Sequence, residues 1–227
     1  KTINYYFDSV NGNDNNDGIS IEKPFKTLKK IKEINLRSGD SILLSNGSIF
    51  KGNIKIIDKK NIHISNYNSN ILANPIIDSK GHIAGIYIEN SSNISLSNIK
   101  IIANGGGVFE EYKNLTTNKI TDKAIMRAGV LVNVSKNEIF KNILVRNIDV
   151  SDIFFEDSGF IRNPKEVRTA MGTQAYGFGI RFFNSSESGS LHNINVLDCR
   201  VENVGHTGIK MTSSSKARFK NIVVSNN

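Results

Sequence analysis

The chain has 227 residues, enough for one or two domains with an apolar core, and is rich in Asn, Ile, Lys and Ser and poor in Pro and Trp, a balance that suits stacked β-turns with aliphatic interiors better than packed helices. Its net charge of +8 directs attention to a polyanion; no basic run interleaved with aromatics and no nucleic-acid motif occurs, which argues against nucleic acid and leaves a uronate-bearing or sulfated polysaccharide, or simply a surface of solvated lysines. No stretch is apolar for long enough to span a membrane, and the single cysteine rules out a disulfide within the chain.

From the N-terminus, YYFDS reads as a strand, NGNDNNDG as an Asn/Asp/Gly turn, and Phe25–Ile34, after Pro24, as a short amphipathic helix. SGDSILLSNGSIF then reads as the first rung of a repeating structure. This opening, a tyrosine-rich strand, a G-N-D-x-x-D-G turn, KPFKTLKKI and SGDSILL, resembles the start of right-handed parallel β-helix proteins of the pectate-lyase-like superfamily. The resemblance covers residues 5–52 as a motif. It implies that fold, with a helix plugging the end of the solenoid, and a leaning toward polysaccharide lyases and glycoside hydrolases. The local lysine and arginine motifs of chondroitinase B and alginate lyases are absent, as are the paired aspartates of polygalacturonase-like hydrolases, so no residue role transfers from the family.

Beyond the opening, one phrase recurs: NIHISN (61–66), NISLSNIKI (93–101), NILVRNIDV (142–150), NINVLDCRV (193–201) and NIVVSN (221–226). A second precedes the last four: AGIYIEN (84–90), AGVLVNV (128–134), FGIRFFN (178–184) and TGIKMTS (207–213). Alternation of apolar and polar residues means strands with one face inward. Two such strands and a third after each inner Asn make a coil of three strands, with a shortest period of roughly thirty residues, a length typical of solenoid repeats. Close repetition argues against a β-sandwich, and the lack of four strands per unit against a propeller. The fold class expected is all-β, a right-handed parallel β-helix: one domain over 1–227, with strand and cap over 1–40 and rungs over 41–227. Ile86, Val130, Ile180 and Ile209 are expected to stack inside, and the recurring Asn residues to take left-handed turn conformations. Cys199, in an alternating run, reads as a buried structural thiol.

Two rungs are swollen at the same junction, by residues 103–127 and 152–176, whereas the third junction, ENVGHTG, is tight and holds His206. Stacked loops at one corner wall off one sheet, and loops on a rigid scaffold are where function concentrates. Alternation puts Tyr87, Leu131, Arg181 and Lys210 in one outward column. Two cations on neighbouring rungs repel unless an anion bridges them, and repulsion favours the neutral, basic form of a lysine. A polysaccharide lyase must neutralise a uronate carboxylate, take the C5 proton and protonate the leaving oxygen; Arg181 could do the first, Lys210 the second, and His206 or Tyr176 the third. A glycoside hydrolase instead needs two carboxyl groups, for which Glu110, Glu111, Glu156 and Asp157 are the loop candidates. Arg127 and Arg168 are placed to grip anionic substrate, and Tyr87, Phe183, Phe154, Phe155 and Phe178 to offer rings to sugars, with core packing the plainer role for many of the rings. Calcium is a further candidate because Asp and Asn are abundant, although NGNDNNDG is only loosely like a calcium loop.

These readings favour an enzyme that depolymerises an acidic polysaccharide by β-elimination, secreted, periplasmic or on the cell surface. A hydrolase is the first alternative and a non-catalytic glycan-binding or adhesive solenoid the second. The abrupt start fits a processed secreted chain or a trimmed one. NIVVSNN ends after a rung's second strand without a cap, which leads one to expect a following segment or a second subunit over that end.

Overall fold

The computed structural model describes all residues except 69, 107–111, 114–119, 122–125, 155–156, 158, 160–175 and 215, and describes the backbone alone at 112, 113, 120, 121, 126 and 176. The chain winds as a parallel β-helix with three faces. The first face is a five-stranded parallel sheet of Ile54–Ile57, Ala84–Glu89, Met126–Val134, Tyr176–Asn184 and Thr207–Ser213. Its register pairs Ile54 with Ile86, Ile86 with Val130, Val130 with Ile180 and Ile180 with Ile209. The second face stacks Asn4–Phe7, Ser41–Ser45, Lys60–Tyr67, the front halves of Ser92–Asn104 and Ile139–Phe154, then Ser190–Leu197 and Arg218–Ser225. The third holds Ile49–Lys51, Ile76–Asp78, the back halves of those two long strands, and Arg200–Val204.

Recurring Asn and Gly residues make the corners for different reasons. Asn61, Asn93, Asn142, Asn193 and Asn221 all have φ between 53° and 62°, the left-handed region Asn tolerates better than other side chains. Each amide donates to the one on the rung before, Asn93 to Asn61 at 2.7 Å, Asn142 to Asn93 at 2.6 Å, Asn193 to Asn142 at 2.8 Å and Asn221 to Asn193 at 3.0 Å. A second ladder, Asn98 to Asn66 and Asn147 to Asn98, bends the two long strands from the second face to the third. The glycine within each of three first-face strands is a steric need. A Cβ at Gly85, Gly129 or Gly179 would fall closer than 3.0 Å to Ile101, Val150 or Val201, across the interior.

Ile86, Val130 and Ile180 are fully buried in one core with Ile94, Ile143 and Ile194 of the second face and Ile101 and Val150 of the third. Each such side chain contributes about 1.5–3 kcal/mol relative to exposure. Cys199 is a buried free thiol, and burial pushes its pKa up. At the far end of the stack Ile222, Val223 and Val224 of the last second-face strand are exposed.

The cap departs from the expected helix over Phe25–Ile34. Only Leu28–Lys32 is helical, and it is a 3₁₀ segment. Phe25, Leu28 and Ile31, three residues apart, are all buried, which matches a helix of three residues per turn rather than 3.6. Thr27, at the N-cap, makes no capping bond because its hydroxyl donates to Asp14 at 2.7 Å. Asp14 also accepts the N–H groups of Lys26 and Thr27, and Asp8 those of Val10 and Asn11. The acidic turn thus spends these carboxylates on its own backbone. Among the described residues, no group of His, Cys, Asp and Glu is arranged to hold a metal ion, and no helix is long and apolar enough to cross a membrane.

Candidate active site

The outer side of the first face carries three columns. The middle one runs Lys55, Tyr87, Leu131, Arg181 and Lys210. On one flank stand Ala84, Ala128, Phe178 and Thr207, and on the other Ile57, Glu89, Asn133, Phe183 and Thr212. Arg181 and Lys210 are direct neighbours, on strands about 4.8 Å apart.

Both cations converge on one aromatic ring. The Arg181 guanidinium lies 4.4 Å from the Phe178 centroid and 4.9 Å from that of Phe183, and Lys210 Nζ lies 5.5 Å from the Phe178 centroid. The His206 ring packs on Phe178 as well, 5.2 Å away at 53°. His206 is exposed; its backbone N–H donates to Gly177 at 2.8 Å, and its Nδ1 meets the Thr207 hydroxyl. The negative face of a buried ring attracts cations, which offsets part of the repulsion between Arg181 and Lys210. The lysine and the arginine on one ring form a local positive field, and the exposed His206 imidazole stands on its solvent side.

Two rungs away on the same face, Glu89 is a carboxylate held by three donors: Tyr87 Oη at 2.9 Å, Ser135 Oγ at 2.7 Å and Asn133 Nδ2 at 3.3 Å. The alternation that placed Tyr87 outward placed Glu89 outward too, but reading carboxylates only from the swollen loops passed over it. A Glu in an outward register with Asn and Ser on the next rung was the available signal.

Other expected site residues sit differently. Arg127 is fully buried rather than open to a substrate. Its guanidinium donates to the carbonyls of Gly105 at 2.5 Å, Phe154 at 2.7 Å, Ala103 at 3.3 Å and His82 at 3.3 Å. It ties the roots of both swollen junctions, and burial lowers its pKa to about 10 against the pull of Asp78 and Asp157. Tyr87 and Phe183 are each 8% exposed and belong to a second apolar cluster with Leu131 and Phe178, so no ring face is free for a sugar. Asp157 is exposed, and its Oδ1 accepts the Gly106 N–H at 2.8 Å, which pins the turn at the start of the first swollen junction. Tyr176 pairs with Met126 through its backbone; its side chain, like Glu110, Glu111, Phe155, Glu156 and Arg168, lies outside the described residues.

No family model and no curated protein matches the chain. Among solved structures it is similar to the GH136 lacto-N-biosidase from Eubacterium ramulus, with a TM-score of 0.67 and 19% identity over 99% of this chain and 40% of that one. The selenomethionine derivative of that enzyme matches at 0.67 and 18%, over 99% and 41%. A rhamnogalacturonan lyase aligns at a TM-score of 0.41 and 15% identity, over 98% of this chain and 62% of that one. The chain therefore spans about 40% of the length of the lacto-N-biosidase, and what it shares with that enzyme is the fold.

Proposed function

We propose that this chain is the β-helix of a carbohydrate-active enzyme that depolymerises an acidic polysaccharide outside the cell, with the Arg181–Lys210–His206 cluster on the first face as its reactive surface. The observation that carries this reading is the convergence of Arg181, Lys210 and His206 on Phe178. A fold shared with a glycoside hydrolase is in keeping with it.

β-Elimination fits a cationic surface best. The uronate carboxylate sits on Arg181, which stabilises the negative charge that develops when the C5 proton leaves. Lys210, one rung on, is the group placed to take that proton. The electron pair forms the C4–C5 double bond, the C4–O bond breaks, and His206 returns a proton to the leaving oxygen. One product ends in an unsaturated uronate and the other in a new hydroxyl.

Hydrolysis is a second reading, favoured by one observation: Glu89, 9% exposed, is a hydrogen-bonded carboxylate on the same face, and hydrolysis would need a second carboxyl group opposite it. Incubation with uronate-containing and sulfated polysaccharides, followed by ultraviolet absorbance and reducing ends, tests both. Elimination raises both signals. Hydrolysis raises reducing ends alone. Binding without either signal overturns the enzymatic reading in favour of a glycan-binding solenoid.

A further inference from the structure

A second basic site lies at the opposite end of the stack. Between the 3₁₀ segment of the cap and the corner where the first two rungs enter the first face is a cleft of about 290 Å³. Lys29, Lys32, Lys51 and Lys80 surround it, with Asn53 and His82. No carboxylate lines it, and among the described residues none of the four ammonium groups is in an ion pair. Asp78, a nearby acid in sequence, is turned to the backbone N–H of Lys80 at 3.2 Å. Lysines on a surface are ordinarily solvated, so charge alone would not distinguish this one. Asn53 does. It is only 8% exposed, it lines the cleft, and its Nδ2 has no hydrogen-bond partner. Nδ2 itself has almost no accessible surface, so an oxygen in the cleft meets it only once the amide turns outward, and the bond then removes a cost of about 1–3 kcal/mol.

We propose that this cleft binds a single oxyanion carried on a sugar unit, a uronate carboxylate or a sugar sulfate, with Asn53 Nδ2 donating to the oxyanion and the four lysines supplying the charge. The volume lies at the small end of ligand sites, roughly 300–1,000 Å³, which suits one sugar-sized group rather than a run of them. Asn53 precedes the first strand of the first face, three rungs from Arg181. At about 4.8 Å per rung the two sites stand about 14 Å apart along the stack. A polyanionic chain lying along that direction reaches both, and the cleft then serves as an anchoring subsite remote from bond cleavage. The sugar in this proposal rests on the acidic-glycan reading above; the anion rests on the cleft alone.

The test is a titration of the full chain, followed by amide chemical shifts, with glucuronate, glucose 6-sulfate, inorganic sulfate and neutral glucose at low salt. The expected result is saturable shifts at Gly52, Asn53 and Lys80 with the two charged sugars and none with glucose. The exposed pair Lys51→Glu and Lys80→Glu should weaken binding at least tenfold while leaving thermal unfolding unchanged, which separates lost charge from lost fold. Glucuronate against glucose 6-sulfate shows which oxyanion is preferred. Inorganic sulfate binding as tightly as either sugar overturns the sugar assignment. No saturable shift with any anion, or binding indifferent to the double charge reversal, overturns the site. Absence of glycan cleavage by the chain leaves this result unaffected, so the two readings fail independently.

Discussion

Replacing Arg127 by methionine separates a structural arginine from a substrate-binding one. Methionine fills similar length but donates nothing, so the carbonyls of Gly105 and Phe154 lose short bonds from a charged group. Bonds of that kind contribute about 1.5–3 kcal/mol each, a gross loss of about 3–6 kcal/mol. Removing a charge that burial already disfavours returns part of it, which leaves a net destabilisation of about 2–4 kcal/mol. With an unfolding entropy near 2.1 cal/mol/K per residue, or roughly 0.5 kcal/mol/K for this chain, the melting temperature should fall by about 4–8 °C. Circular dichroism on heating measures it, and limited proteolysis should show faster cutting in the swollen junctions. An unchanged melting temperature accompanied by loss of glycan affinity would refute the reasoning and restore Arg127 to the binding surface.

Two glycines of the first-face strands give a matched pair. Gly179→Ala drives a methyl group into Val201 and the Gly208 carbonyl and should cost about 1–3 kcal/mol or more, whereas at Gly208, on the last rung, the nearest atom is Val201 Cγ1 at 3.6 Å and alanine should be nearly neutral; urea unfolding distinguishes them, and equal effects would contradict the packing described. Asn142→Ala breaks two ladder bonds and forces a left-handed backbone on alanine, for a loss of about 2–3 kcal/mol by the same measurement. Asn142→Gly keeps the backbone conformation and should cost less. In acid, the cap should loosen before the rungs. Burial alone would raise the Asp8 and Asp14 carboxyls, but the N–H and hydroxyl donors around them hold both below the usual 3.8. Their stabilisation is therefore complete above that pH and is lost as pH falls through the lower folded values. Amide exchange at Val10, Asn11, Lys26 and Thr27 should accelerate there while core amides stay protected.

The rungs were legible because two residue types carry their geometry almost alone. Asn near the start of five second-face strands marks a left-handed backbone, Gly85, Gly129 and Gly179 within three first-face strands mark crossings too tight for a methyl group, and strict alternation between them sets the register that puts Arg181 beside Lys210. What alternation does not reveal is whether an outward side chain meets water. Tyr87, Leu131 and Phe183 point outward and are still buried, because Phe178, Arg181 and their neighbours build a second apolar layer on that face. Arg127 misleads for a related reason: an arginine beside a cationic column looks like part of it, and nothing local says that four backbone carbonyls from distant residues close around it. The cap carried its own clue in Phe25, Leu28 and Ile31, whose spacing of three fits the 3₁₀ segment Leu28–Lys32 better than a longer amphipathic helix over Phe25–Ile34.

The most direct measurement of the central claim compares the native chain with the Arg181→Ala, Lys210→Ala double variant on an acidic polysaccharide, recording ultraviolet absorbance and reducing ends together. The account predicts a rising absorbance from the native chain and a rate at least 10²–10³-fold lower from the variant, roughly the loss expected when a preorganised charge at the reacting centre is removed. Cleavage that proceeds equally in both, or a native chain that leaves every acidic polysaccharide at full length, would contradict it.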